Sequence, residues 1–187
     1  VARLRFEGDG VRVDGLELRK GEGALTGAML IQWDGTYSLN LDGRDIDLAT
    51  VALNQMDGAM VGGLARFTAS GAGALAEPRY EVRGTVSDFS VNDELVGQVT
   101  GRVAVRDSVM ALDLEAASTN LAISGSGRVA LVGDNEADLS FRFTNTTLDP
   151  LVRAVATSVP EAMSAVVSGT LTLSGPLAVR ERVRMGA

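Results

Sequence analysis

Three stretches of this chain hold residues whose types and spacing could do chemistry. The most acidic is Asp42, Asp45 and Asp47, with the last two on one strand face. Paired carboxylates can serve as general acid and base, but the stretch lacks the carboxylate-and-glycine spacing of a calcium loop. The expectation is a solvated strand edge. Gly71-Ala72-Gly73-Ala74-Leu75-Ala76 has the letters of a dinucleotide fingerprint. That fingerprint works only where it opens a helix whose N-terminus meets pyrophosphate, and Glu77-Pro78-Arg79 opens a strand instead. Asn145-Thr146-Thr147 spells a glycosylation sequon, which carries meaning only in a eukaryotic secretory context. With no histidine and no cysteine, the usual nucleophile and base pairings cannot be built. Neither a reaction nor a cofactor nor a metal is expected.

The elements around these residues follow from composition and patterning. At 45% hydrophobic and 22% charged, the chain is not of the disordered class. Aromatics are only 4% and glycines number 22, so the apolar interior must be built from Val, Leu, Ala and Gly. The net charge is −7 and the 17 basic residues are scattered singly. A nucleic-acid partner, which needs a concentrated basic surface, is therefore not expected.

Period-two alternation dominates. Tyr80, Val82, Gly84 and Val86 oppose Arg79, Glu81, Arg83 and Thr85. Leu95, Gly97, Val99, Gly101, Val103 and Val105 oppose Val96, Gln98, Thr100, Arg102, Ala104 and Arg106. Leu121, Ile123, Gly125, Gly127, Val129 and Leu131 oppose Ala122, Ser124, Ser126, Arg128 and Ala130. Leu139, Phe141 and Phe143 continue the pattern, as do Val167, Gly169, Leu171 and Leu173, and less cleanly Leu25, Gly27, Met29, Ile31 and Trp33. A sheet with one dry and one wet face requires this alternation. The connections Trp33-Asp34-Gly35, Arg106-Asp107-Ser108 and Val132-Gly133-Asp134-Asn135 have hairpin chemistry. The expected fold is an all-β antiparallel meander with one or two short helices. Those helices are read at Ala49 to Met56, closed by Asp57-Gly58, and after Asp149-Pro150.

Six glycines, Gly84, Gly97, Gly101, Gly125, Gly127 and Gly169, fall in the apolar phase. Glycine weakens a strand by about 0.5–1 kcal/mol relative to alanine, so they need a reason. Curvature or close packing is one, and a trough left open for an apolar guest is the other.

Residues 44–75 resemble 145–177, a weak repeat of about 100 residues. The chain reads as one unit, 1–187, a fragment of a longer repeated chain, with any membrane anchor outside it. The charged segments 1–20 and 179–184 are expected to guard the sheet edges.

Gly71-Ala72-Gly73-Ala74-Leu75-Ala76-Glu77-Pro78-Arg79-Tyr80, followed by Gly84-Thr85-Val86 and Val91, resembles a recurring phrase of the TamB family. So do Leu148-Asp149-Pro150-Leu151 and Val167-Ser168-Gly169-Thr170-Leu171-Thr172-Leu173-Ser174-Gly175-Pro176-Leu177. TamB belongs with the AsmA-like proteins of diderm bacteria. The resemblance implies a long, strongly curved antiparallel sheet forming a hydrophobic groove, folded like a taco shell. It further implies the periplasmic portion of an inner-membrane-anchored protein that conducts phospholipid towards the outer membrane. An older family role is protein secretion and assembly with an outer-membrane β-barrel partner of the translocation and assembly module. The residues expected to line such a groove against acyl chains are Val82, Val86, Val99, Val103, Leu112, Leu114, Leu121, Ile123, Val129, Leu131, Leu139, Phe141, Val167 and Leu171.

Overall fold

A computed structural model describes residues 1–50, 60–119, 121–147, 165–178 and 182–186. Among them the chain forms twelve strands: β1 (Arg3–Glu7), β2 (Gly10–Lys20), β3 (Gly23–Gln32), β4 (Thr36–Asp47), β5 (Val61–Ala74), β6 (Tyr80–Val91), β7 (Glu94–Arg106), β8 (Val109–Ser118), β9 (Leu121–Ala130), β10 (Glu136–Thr147), β11 (Val166–Pro176) and β12 (Arg184–Gly186). They make one sheet in chain order, every pairing antiparallel and the sheet not closed. The fold is all-β, an open antiparallel meander of the curved β-groove class. One 3₁₀ turn, Leu48–Thr50, follows β4. The rest of the helix expected at Ala49 to Met56 and the one after Asp149-Pro150 lie outside the described residues.

Turn chemistry enforces the topology. Asp107 and Ser108 have φ of 51° and 57°, and Asn92 and Asp93 have 50° and 67°. Two consecutive left-handed residues make the tight turn whose twist suits a hairpin. After β3, Asp34 accepts from the Thr36 amide and hydroxyl at 2.8 and 2.7 Å, an Asx-type closure. The Thr36 hydroxyl is also the first cause holding the Asp34 carboxyl below its ordinary value, with the amide second.

Interstrand pairing places opposite residues on the same face, and the result is a set of apolar rows crossing the sheet. One row runs Leu16, Gly27, Leu41, Ala69, Val82, Val103, Leu112, Gly127, Leu139, Leu173. The next runs Leu25, Gly43, Phe67, Gly84, Gly101, Leu114, Gly125, Phe141, Leu171. The described strands pack on their sequence neighbours, and every residue of the first row is only half-buried. The chain exposes 12242 Å², against about 8,500 Å² for a compact monomer of its mass. An apolar cluster, Val96, Ala116 and Leu121 with Phe89, Val91, Val99 and Ile123, sits towards one end of β6–β9.

Five of the interstrand ladders skip register. Gly15, Asp45, Asp88 and Asn145 stand at four of these bulges with φ of 58°, 50°, 52° and 45°. Glycine, aspartate and asparagine tolerate that conformation best. Each sits third in a short phrase that ends on a residue returning to the apolar face: Val13-Asp14-Gly15-Leu16, Gly43-Arg44-Asp45-Ile46, Val86-Ser87-Asp88-Phe89 and Phe143-Thr144-Asn145-Thr146.

Candidate functional site: the aliphatic face

The residues expected to line a groove come together with few exceptions. Val82, Val103, Leu112 and Leu139 share one row, Leu114, Phe141 and Leu171 the next, and Val86, Val99 and Ile123 a third. These ten are half-buried, shielded by neighbours in the sheet and open above it. Val129 and Leu121 are buried at 6% and 4% exposure. Val167 lies past the β10 bulge, opposite Thr146. Leu131 lies beyond the end of β9 and is 44% exposed, so it stands at the rim rather than within a row.

One phase assignment is corrected. Ser90 pairs with Leu95 and Phe89 with Gly97, so the ladder steps past Val96. The extra residue inverts the alternation. Val96 is buried in the apolar cluster and Leu95 is 58% exposed, the reverse of the simple period-two reading.

The apolar-phase glycines have different roles. A Cβ on Gly125 would meet the Phe141 ring at 2.7 Å, and one on Gly84 would meet Phe67 Cβ at 2.8 Å. Gly127 lies against the Asp138 carbonyl and Leu139. At these three, close packing across strands is the reason for glycine. Gly101 meets only ordinary contacts, at 3.4 and 3.7 Å, and Gly169 meets nothing within 4 Å. Gly101 could take a methyl group without a clash, and Gly169 leaves open space.

Thr146 was not singled out as part of this face by the sequence pattern, yet its side chain is 0% exposed. Its hydroxyl accepts from the Ala122 amide at 3.1 Å and donates to the Ala122 carbonyl at 2.9 Å or the Thr144 carbonyl at 3.1 Å. The bulge at Asn145 takes the backbone of β10 out of step with β9, and the hydroxyl supplies the missing partner. Also missed were Val13 and Leu39, in the row that runs through Met29 to Val129, and Leu41 and Phe67, which extend the first two rows to the N-terminal strands. The bulge phrases were the signal that could have kept their phase.

The opposite face is polar. A hollow of about 1050 Å³ spans β6 to β10 and includes Arg83, Arg102, Asp113, Glu115, Ser126 and Arg142 in its lining. A twisted sheet is saddle-shaped, which allows a hollow on either face. Glu81 accepts from Arg102 at 2.5 Å and from Arg83 at 2.5 Å. Arg102 chiefly, then Arg83, holds the Glu81 carboxyl below its ordinary value against an opposing desolvation. Glu81 in turn raises the Arg102 value.

The acidic stretch forms no common site. Asp42 pairs with Arg44 at 2.7 Å, Asp45 accepts from Arg66 at 2.7 Å, and Asp47 caps the Ala49 amide at 2.9 Å. It lies on β4, which β3 and β5 flank, so it is not at a sheet edge as expected. Gly71 and Gly73 lie inside β5, not at a helix start. No group of three potential metal ligands exists among the described residues.

Comparison of the chain with protein-family models, with curated proteins and with solved structures finds no match.

Proposed function

We propose that the aliphatic face is a conduit for phospholipid acyl chains, in a periplasmic segment of a TamB-like or AsmA-like envelope protein supporting outer-membrane biogenesis. The observation that carries this reading is the continuity of the apolar row from Leu16 to Leu173, every residue of which is only half-buried. Transfer of apolar surface from water is worth about 25 cal/mol per Å². A lining made of Val, Leu, Ala and Gly offers that gain evenly along its length, so a chain can bind and still slide. No reacting group is required. The resemblance to the TamB family supplies the compartment and the lipid, and the half-exposed side chains supply the physical means.

The test is site-specific photocrosslinking inside cells, with the probe at Phe141 or at Arg142. These neighbours point to opposite faces of β10. Phospholipid adducts at 141 and none at 142 support the conduit. Adducts at neither position would mean a sealed face and a passive structural sheet. Protein adducts without lipid would favour an assembly factor that accepts strands of outer-membrane proteins by β-augmentation.

A further inference from the structure

The connections 8–9, 33–35, 75–79, 107–108 and 131–135 all lie along one rim of the sheet. Because every pairing is antiparallel, successive connections on this rim stand two interstrand spacings apart, about 9–10 Å. Backbone hydrogen bonds tie neighbours together. The Trp33 amide donates to the Asp9 carbonyl, the Leu75 amide to the Gly35 carbonyl and the Leu131 amide to the Ser108 carbonyl, each at 2.8 Å. Trp33, Leu75 and Leu131 each directly follow a strand and continue its aliphatic phase. Trp33 is 62% and Leu75 57% exposed, so the aliphatic face ends in an open apolar lip.

Each of these connections also carries one carboxylate: Asp9, Asp34, Glu77, Asp107 and Asp134. Side chains of the polar face hold the first two. The Gln32 side-chain amide donates to Asp9 at 3.4 Å, and the Thr36 hydroxyl donates to Asp34 at 2.7 Å. Arg79, the one cation in these connections, pairs with Asp107 at 3.0 Å. Asp9, Asp34, Glu77 and Asp134 meet no cation among the described residues. The rim is therefore apolar towards the aliphatic face and anionic just beyond it, in a chain whose net charge is −7.

We infer that this rim selects phospholipids whose headgroup ends in a primary ammonium, phosphatidylethanolamine, over anionic phospholipids. The inference rests on the reading of the aliphatic face as a seat for acyl chains. With the chains on that face, the glycerol meets the apolar lip and the headgroup extends past it to the carboxylates. A primary ammonium brings three N–H donors and makes charge-assisted hydrogen bonds to carboxylate oxygens. A choline headgroup has the positive charge without the donors. Phosphatidylglycerol offers only its phosphate, which the carboxylates repel. One carboxylate per hairpin gives the ammonium an equivalent partner at each step as a lipid moves across the strands. Exposed ion pairs are individually weak, so the rim discriminates among headgroups without trapping one.

The test uses the purified chain with a photocrosslinking probe at Phe141. It is held in neutral-detergent micelles with equal amounts of phosphatidylethanolamine and phosphatidylglycerol of identical acyl chains. Mass spectrometry of the adducts identifies the headgroup. The wild type is expected to favour phosphatidylethanolamine by about two- to fivefold, and raised salt should shrink the ratio. Neutralising the rim together, with Asp9→Asn, Asp34→Asn, Glu77→Gln, Asp107→Asn and Asp134→Asn, should abolish the preference. Asparagine keeps the turn conformations that these aspartates use. Asp113→Asn with Glu115→Gln removes two carboxylates from the hollow of the polar face and should leave the preference intact. Equal adducts of the two lipids in the wild type would overturn the selectivity and leave the conduit standing. A preference that survives neutralisation of the rim, or that is lost in the Asp113 and Glu115 variant, would overturn it too. Adducts with neither lipid would remove both readings.

Discussion

The ring of Phe141 lies over the backbone of Gly125, close enough that a methyl group on the glycine would stand 2.7 Å from Phe141 Cδ1. The ring of Phe67 occupies the same kind of place over Gly43, in the same row of the sheet. A large ring lying along a sheet needs a vacancy beside it on the neighbouring strand. Glycine supplies the vacancy, and the ring in turn covers a backbone that would otherwise be bare.

A glycine series separates filled from open positions. Gly125→Ala must displace the Phe141 ring, and overpacking of this kind costs about 1–3 kcal/mol. Gly169→Ala meets nothing within 4 Å and should stabilise by about 0.5–1 kcal/mol through the lost chain entropy of glycine. Urea unfolding of the two variants beside the wild type checks this. Equal costs at both positions would remove the distinction.

Thr146→Val keeps the shape of the side chain and removes the hydroxyl that serves Ala122. Leaving buried polar groups without a partner costs about 1–3 kcal/mol. Thr146→Ser, which retains the hydroxyl, should recover the hydrogen-bonding part of that loss. Amide hydrogen exchange at Ala122 is the local readout, with protection falling in the valine variant and returning in the serine variant.

Glu81 gives a pH dependence of definite sign. Its folded-state value lies below the ordinary 4.5, owing first to Arg102. The ionised form is therefore favoured by folding, and its contribution is full above 4.5 and is lost as pH falls through the lower folded value. The stability gap between wild type and Glu81→Gln should be constant near neutrality and shrink below 4.5. A gap that widens on acidification would contradict the assigned pairing with Arg102 and Arg83.

How much was legible in the sequence depends on where the strands bulge. The runs Tyr80 to Val86 and Leu121 to Val129 hold their alternation unbroken, and their faces follow directly from period two. At Val96 one extra residue inverts the phase, which made Leu95 look buried and Val96 look wet. In β2 and β4 the bulges at Gly15 and Asp45 cut the alternation into pieces too short to recognise. Asp42, Asp45 and Asp47 drew notice as a cluster, but their proximity along the chain says nothing of the separate partners that sheet pairing gives them. The role of Thr146 was hidden for a related reason: its partner Ala122 is on another strand, and only the bulge brings a hydroxyl to it.

The strict neighbour-to-neighbour order of the strands makes the sheet modular. Among the described residues each strand pairs only with its neighbours in sequence, so stability is a sum of local pairings, as in a repeat array. Adding or deleting one hairpin would lengthen or shorten the aliphatic strip by about 9–10 Å, two interstrand spacings, without rebuilding any other contact. Such a sheet can have its span set by hairpin number alone, and loss of order should begin at its outermost strands and proceed inward.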